Sequence, residues 1–323
     1  MLAFEKKEHV ETIPTGIECM LGADIGGTNS NFGIFKKTDG KLQLLLSLHF
    51  KSQEIKNFTD VVKDVLDYLK NNYQISIRHS CFAGAGVVSE HRDRCKPTNL
   101  DFVIDAHEIT KNTDLECATL ANDFEIIGHG LKFVASENLV LVKKGNPRKN
   151  GARIILGAGT GLGKCILFWH ESRGRYIPVP SEGGHADFAA QTQLDLNLIN
   201  FIKKSENRSC NISWEDVLSG NGIQRTYRFF AEQNDEQNMH KKLKEQGLLP
   251  DKIFSARNLD EYAKQTYELY TILYARCAKN FALDALALGG VYIAGGILQK
   301  ILNCLNKKSL HKNLLIVVNR WNF

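Results

Sequence analysis

Two glycine-rich turns contain residue types suited to phosphate chemistry. The first turn comprises Asp24-Ile25-Gly26-Gly27-Thr28-Asn29, directly after an apolar run. Its small residues would let backbone N–H groups and the Thr28 hydroxyl approach phosphate oxygens. Asp24, at the end of a predicted strand, could hold Mg²⁺ through water. An ordinary hairpin turn is the structural alternative for this stretch.

The second turn, Gly157-Ala158-Gly159-Thr160-Gly161-Leu162-Gly163-Lys164, does not match a standard nucleotide-binding motif. A P-loop would need glycine at Ala158 and serine or threonine at Cys165, and the dinucleotide pattern GxGxxG fails in every register. The spacing instead predicts a β-hairpin phosphate turn with Thr160 as a candidate ligand. Alone, this turn is weak evidence for nucleotide binding.

An acid and an amide stand together where a predicted strand, Cys117 to Phe124, runs into a helix. A carboxylate at Asp123 could act as general base on a substrate hydroxyl, while Asn122 orients a sugar. The alternative is that Asn122 or Asp123 only caps the helix.

Glu182 and His185 are separated by two glycines, so both side chains could converge on one small ligand. Glu182 would accept hydrogen bonds from hydroxyl groups, and His185 would add one more. A purely structural hydrogen bond is the alternative for His185. A metal site is disfavoured because no third ligand of suitable type is apparent.

Gly295 and Gly296 follow a short buried strand, predicted over residues 291–294. Such glycines can allow an adenine ring to lie against the backbone. The alternative is a turn that begins the helix predicted over residues 297–305.

The elements that position these residues fall into two similar halves. Met20 to Lys37 and Ala152 to His170 each read as strand, tight turn and strand, which suggests two related α/β lobes. Further strands are predicted at 42–50, 78–86 and 139–142, and helices at 58–70, 194–202, 222–233 and 260–288.

Composition favours a globular, cytoplasmic enzyme. The 323 residues are 43% hydrophobic, and the N-terminus does not resemble a signal peptide. The net charge of +5 is matched by five basic residues after position 299, so no basic nucleic-acid face is expected. No membrane partner is expected either, because no segment reads as a membrane span. The eight cysteines form no CxxC pair and are expected to be reduced and mostly buried.

Taken together and in this order, the motifs resemble the bacterial glucokinase family of the hexokinase/actin superfamily. They read DIGGTN, LANDF, GAGTGLG, SEGGHADF, VLSG and AGG(I), and the resemblance covers roughly residues 18 to 300. It implies an α/β fold of two ribonuclease H-like lobes with a cleft between them. The small N-terminal lobe would span residues 17–138 and the large lobe residues 139–323.

The resemblance implies a reaction and a role for each motif. ATP would phosphorylate D-glucose at its 6-hydroxyl with the help of Mg²⁺, and the enzyme would be a homodimer. Asp123 would be the catalytic base. The expected sugar ligands are Asn122, Asp123, Glu182, His185 and Glu215. The expected nucleotide-binding residues are Asp24, Gly26, Gly27, Thr28, Asn29, Gly157, Gly159, Thr160, Gly161, Gly295 and Gly296.

Two other function classes are considered beside an active glucokinase. One is a non-catalytic sugar-binding or regulatory homologue, and the other is an actin-like ATPase or chaperone. The sugar-binding constellation argues against the latter. The related ROK branch usually carries a cysteine-rich zinc motif, and its repressors a helix-turn-helix; neither is evident here, which favours the non-ROK branch.

The last residues, Cys304 to Phe323, do not match the usual family ending. One hypothesis is that this ending is truncated or altered, for example by a frameshift. The alternative is a genuine short variant. If the ending is altered, nucleotide binding and stability would suffer.

Overall fold

The computed structural model describes residues 2–143, 145–232, 243–297 and 315–318. The chain forms two compact units, Met1–Ile127 and Gly128–Phe323. A six-stranded sheet forms the centre of each unit. The lobe boundary predicted after residue 138 stays a prediction. In the described part of the chain, no helix is long and apolar enough to cross a membrane.

The sheet of the first unit has the strand order β1-β4-β3-β2-β5-β8. Its strands are β1 (Glu5–Glu8), β2 (Glu18–Ile25), β3 (Asn29–Thr38), β4 (Lys41–Lys51), β5 (Ser76–Gly84) and β8 (Cys117–Asn122). The first four strands pair antiparallel, whereas β5 is parallel to both β2 and β8. The short strands β6 (Arg94–Cys95) and β7 (Ile104–Asp105) form a separate ribbon.

Hydrophobic periodicity explains how this unit forms its core. Every second residue of β2, from Cys19 to Ile25, is buried, as expected for a strand with one face on the core. Helix α1 (Phe58–Tyr73) buries Val61, Val65 and Leu69 at helical spacing. Two further helices are α2 (Ala106–Asn112) and α3 (Asp123–Gly130).

The second unit repeats the plan around the strand order β12-β11-β10-β13-β14-β9. Its strands are β9 (Leu139–Lys143), β10 (Arg153–Ala158), β11 (Leu162–His170), β12 (Arg175–Ser181), β13 (Gly290–Ala294) and β14 (Leu315–Val318). As in the first unit, an antiparallel three-stranded meander is followed by a parallel strand, here β13 beside β10. The predicted two-unit α/β fold is therefore confirmed.

Helices cover the second sheet and supply most of its core. They are α4 (Gln193–Ser205), α5 (Trp214–Leu218), α6 (Gly220–Ala231), α7 (Pro250–Ala256) and α8 (Glu261–Asp284). Asp260 caps α8 by accepting a hydrogen bond from the Ala263 N–H and also accepts one from the Tyr227 hydroxyl at 2.8 Å. Tyr227 and Tyr270 are buried between these helices.

Two boundary predictions differ from the structure at the ends of elements near the candidate site, and a third is not tested. The strand predicted to reach Phe124 ends at Asn122, because Asp123 already begins α3. The long helix expected to stop at Gly289-Gly290 ends earlier, at Asp284, where Ala285 is the C-cap. The helix predicted over residues 297–305 lies outside the described residues after Ile297, as does the stretch 304–323 apart from β14.

Candidate functional site

The first glycine turn joins β2 to β3 and is stabilised by residues just after β4. Gly26 N–H donates to the Asn29 carbonyl at 3.0 Å. The Ser52 hydroxyl donates to the Gly26 carbonyl at 2.6 Å, and Gln53 donates to the Gly27 carbonyl at 2.9 Å. Sequence reasoning missed Ser52 and Gln53, because nothing local links them to a turn more than twenty residues away.

Asp24 is the carboxylate beside this turn. Shielding from solvent raises the pKa of its carboxyl above the usual value, and a hydrogen bond from the Asn31 side chain partly offsets the increase. Asn31 is its cross-strand partner on β3. Asp24 is therefore held in a fixed place by its own sheet.

The Asn122–Asp123 pair lies at the same sheet edge as the first turn. Ile25 of β2 pairs with Gly84 of β5, and Gly84 pairs with Asn122 of β8. Since the three strands are parallel, their carboxyl ends meet, as is usual for ligand sites in such sheets. The structure thus brings the first turn and Asp123 to one edge of the first unit.

In the structure, the Asn122 side chain caps helix α3. Its side-chain oxygen accepts hydrogen bonds from Phe124 N–H at 3.0 Å and Glu125 N–H at 3.2 Å, and its amide donates to the Gly86 carbonyl at 3.1 Å. Asp123 Oδ1 accepts from Phe124 N–H at 2.9 Å. Asn122 therefore positions Asp123 at the start of α3, whatever it contacts in a substrate.

An ion pair supports the same helix end. The buried Glu125 carboxylate accepts two hydrogen bonds from the Arg92 guanidinium, at 2.7 and 3.1 Å. Such bidentate pairs are both strong and directional. Neither residue was predicted, because Arg92 lies in an irregular segment with no sequence pattern.

The second glycine turn joins β10 to β11. Gly159 N–H donates to the Gly161 carbonyl at 2.8 Å, and Gly220 N–H, at the start of α6, donates to the Gly159 carbonyl at 2.9 Å. Thr160 is exposed at the tip of the turn. An exposed hydroxyl and free space around Gly159, where an added Cβ would meet no atom within 4 Å, suit a bound phosphate chain.

The predicted adenosine glycines lie beside this turn. Gly157 pairs with Ala294 at the end of β13, and Gly295 follows with a φ of +96° that disfavours any side chain. A Cβ on Gly295 would lie 2.6 Å from the Ala158 carbonyl. The two motifs therefore approach each other closely within the second unit.

Glu182, His185 and Glu215 form a cluster in the same unit. The His185 Nε2 atom is 3.6 Å from Glu182 Oε2, and its Nδ1 atom is 4.0 Å from Glu215 Oε1. Glu182 and His185 are exposed, and Glu215 is half-buried. Two carboxylates and one imidazole this close together could form hydrogen bonds to several groups of one small polar ligand.

The neighbours of Glu215 in the chain hold its short helix in place. It lies in α5, where Ser213 and Asp216 form a capping box. Asp216 also accepts hydrogen bonds from Arg208 at 2.6 Å and Arg225 at 3.2 Å. These contacts fix the short helix and with it the Glu215 carboxylate.

A buried lysine beneath the Glu182 loop was also missed. Lys164 lies in β11 with its ammonium 4.0 Å from the Phe281 ring centroid and 3.5 Å from Asp284. A Cβ on Gly183 would lie 2.7 Å from Lys164 Cδ. Lys164 therefore supports the glycines that precede His185, a role that sequence periodicity does not reveal.

Among the residues that the structure describes, no group of three or more His, Cys, Asp or Glu side chains could hold a metal ion. The seven cysteines in this part of the chain are free thiols, and four of them are buried.

Two similar α/β units, each with a glycine turn between its first strands, define the fold class: that of the actin/hexokinase-type sugar kinases. Solved structures with this fold include a glucokinase from an Antarctic psychrotroph, with a TM-score of 0.67 and 23% identity over 94% of this chain and 95% of that one. Another is a glucokinase of Balamuthia mandrillaris in complex with glucose, with a TM-score of 0.77 and 21% identity over 94% and 90% of the two chains.

Sequence similarity identifies the family. The glucokinase family model matches residues 21–315. A glucokinase of Synechocystis is 32% identical over 90% of this chain and 86% of its own length, and one of Nostoc punctiforme is 31% identical over 88% and 85%. This chain belongs to the glucokinase family, as the motifs predicted.

Proposed function

We propose that this protein transfers the γ-phosphoryl group of ATP to the 6-hydroxyl of D-glucose, giving glucose 6-phosphate and ADP. The observation that carries the proposal is the Glu182–His185–Glu215 cluster, which is hydrogen-bonded through Glu215 to the second glycine turn. A sugar site and a phosphate turn are thus joined in one unit. The family membership agrees with this reaction.

The sugar would be bound through its hydroxyl groups. Glu182 and Glu215 would accept hydrogen bonds from two hydroxyls, and His185 would add a third contact. Asp123, preceded by Asn122, would accept the proton of the 6-hydroxyl as its oxygen attacks phosphorus.

The nucleotide would be bound mainly by backbone. Gly157, Gly159, Thr160 and Gly161 would contact its phosphates, together with the first turn at Gly26, Gly27, Thr28 and Asn29. Gly295 and Gly296 would lie against the adenosine. Positioning and charge neutralisation dominate catalysis of phosphoryl transfer, so donors of this kind suffice.

Mg²⁺ fits the donor set at Asp24. Protein-bound Mg²⁺ typically uses one or two carboxylates and completes its shell with water and substrate phosphates. A lone carboxylate beside the first phosphate turn meets this pattern. When bound, the ion would neutralise charge on the phosphates.

The test is glucose-dependent ADP formation from Mg·ATP, with fructose, mannose and no sugar for comparison. Asp123→Ala is expected to lower kcat by at least about 10²-fold. Glucose binding should persist in this variant. It can be followed by tryptophan fluorescence, because the buried Trp214 is next to Glu215 in the chain.

Each outcome has a clear meaning. Turnover that disappears in Asp123→Ala supports the proposal and the role of Asp123. A fully active Asp123→Ala enzyme would refute the role of Asp123. Glucose binding without any wild-type turnover would instead favour a non-catalytic sugar-binding homologue. The homodimer stays a prediction from the family resemblance, and the cytoplasmic location stays a prediction from the composition.

A further inference from the structure

A row of polar side chains crosses the first sheet and ends at Asp24. Asp24 of β2 pairs with Asn31 of β3, and Asn31 pairs with His49 of β4. Paired residues in adjacent strands point to the same face of a sheet, so the three side chains are neighbours. The face is the one opposite the core residues of β2.

These side chains form a continuous series of hydrogen bonds. Asn31 is the cross-strand partner of Asp24, its side chain lowers the pKa of the Asp24 carboxyl as a hydrogen-bond donor does, and its Oδ1 atom is 2.8 Å from His49 Nδ1. The other ring nitrogen of His49, Nε2, is 2.9 Å from Ser47 Oγ, which is 2.9 Å from His9 Nε2. The series therefore runs from the exposed His9 through the buried Ser47 to Asp24.

Chemistry fixes the direction of each bond when both rings are neutral. A carboxylate only accepts, so the Asn31 amide group must donate to Asp24, which leaves its Oδ1 atom facing His49. Oδ1 also only accepts, so His49 carries its proton on Nδ1. The His49 Nε2 atom then accepts from the Ser47 hydroxyl, whose oxygen accepts from His9. Every donor thus points toward Asp24.

We propose that His49, acting through Asn31, is a positioning residue for the Asp24 carboxylate. His49 holds the Asn31 amide in the one orientation that donates to Asp24. The reversed amide would place an oxygen against the carboxylate and push it away. The inference rests on the proposed function, in which Asp24 holds Mg²⁺ beside the nucleotide phosphates. Side chains that orient a metal ligand in this way typically increase metal affinity by about 10- to 100-fold.

Three variants separate the hydrogen bond from simple packing. His49→Leu removes the donor, Asn31→Leu removes the amide, and His49→Asn keeps an N–H at the position of Nδ1. His79→Leu is the matched control, because His79 is an exposed histidine on β5 of the same sheet, outside the row.

Two measurements are needed for each variant. The first is the free Mg²⁺ concentration that gives half-maximal glucose phosphorylation. The second is Mn²⁺ binding to the protein–ADP complex, followed by electron paramagnetic resonance, which needs no turnover. Urea unfolding checks that each variant is folded.

His49→Leu and Asn31→Leu should each weaken both metal readouts about tenfold, at the lower end of the usual range because the contact to Asp24 is indirect. Glucose binding should not change. His49→Asn should remain within about twofold of wild type, since it keeps the donor.

The proposal is wrong if both leucine variants bind Mn²⁺–ADP like wild type, or if His49→Asn is as impaired as His49→Leu. A wild-type protein that turns over no glucose would refute the proposed function alone. In that case the Mn²⁺ binding measurements still test the role of His49. If the wild-type protein–ADP complex binds no Mn²⁺, the proposed role of His49 is refuted as well.

Discussion

The Glu215 Oε2 atom accepts a hydrogen bond from the Leu162 backbone N–H at 2.8 Å. This bond joins a proposed sugar ligand on α5 to the turn that is proposed to bind the phosphates of ATP. The residue before Leu162 is a glycine, and the carboxylate occupies the space that a side chain at Gly161 would need. The proposed sugar ligand and the proposed phosphate turn are therefore mechanically linked.

Gly161→Ala should disrupt this link. The added Cβ would lie 2.5 Å from Glu215 Oε2, so the carboxylate must move. We expect the KM for glucose to rise about tenfold, the loss of roughly one hydrogen bond to a charged group. Steady-state kinetics with varied glucose at saturating ATP measures this effect.

Gly159→Ala is the matched variant for that experiment. Its added methyl group meets no atom within 4 Å, so it should leave the KM for glucose near the wild-type value. If Gly161→Ala also leaves this KM unchanged, Glu215 does not contact the sugar.

Arg92→Met should destabilise the first unit. The substitution removes both hydrogen bonds to the buried Glu125 carboxylate, and a buried charge that loses its partner is costly. Because the Arg92 side chain is 49% exposed, we discount the usual cost and expect a decrease of about 1–2 kcal/mol in the free energy of unfolding. Urea denaturation measures it.

Arg78→Met provides the comparison. Arg78 also pairs with two glutamates, Glu18 and Glu116, but on the exposed face of the sheet. Its loss should not change the urea midpoint measurably, since exposed ion pairs contribute little. If both substitutions lower the free energy of unfolding equally, the burial of Glu125 does not increase the stabilisation that its ion pair provides.

The sequence predicted much of this structure because local signals were strong. Apolar runs on either side of glycine-rich turns located β2 and β10, and helical spacing of apolar residues located α1. Glycine turns separated the strands of both hairpins. These patterns depend only on neighbours in the chain, so they can be recognised without knowledge of the fold.

Contacts distant in sequence could not be predicted in this way. Gln53 bonds to Gly27, and Lys164 packs under Gly183, only because the sheet brings them together. Asn122 shows a different limit: the sequence left helix capping and sugar binding open as alternatives, and the structure shows the side chain capping α3. The motif predicted a candidate site, and the fold determines which atoms of its residues remain available.

Stability should decrease in acid because of Asp216. Burial alone would raise the pKa of Asp216, but hydrogen bonds from Arg208 and Ser213 outweigh burial and lower the pKa below its usual value. A carboxyl with a lowered pKa in the folded state stabilises the protein fully above its unfolded pKa of about 3.9. That contribution is lost as the pH falls through the lower folded value.

Urea unfolding between pH 7 and pH 3 measures this loss. Asp216→Asn cannot titrate, so its free energy of unfolding should fall less steeply below about pH 4 than that of wild type. Asp39→Asn, at the exposed turn between β3 and β4, is the control and should keep the wild-type slope. An unchanged slope in Asp216→Asn would contradict the assignment.

Substitutions of Lys164 should distinguish packing from charge. Its side chain is only 6% exposed and lies against Phe281, Asp284 and the loop at Gly183. Lys164→Met keeps most of the volume, so the free energy of unfolding should change by less than about 1.5 kcal/mol. Lys164→Ala leaves a cavity and should lower the free energy of unfolding by about 2–4 kcal/mol.

The Lys164→Ala variant should also raise the KM for glucose, because the Glu182–His185 loop loses its support. If Lys164→Met impairs glucose binding as much as Lys164→Ala does, the ammonium group rather than the packed stem positions the loop.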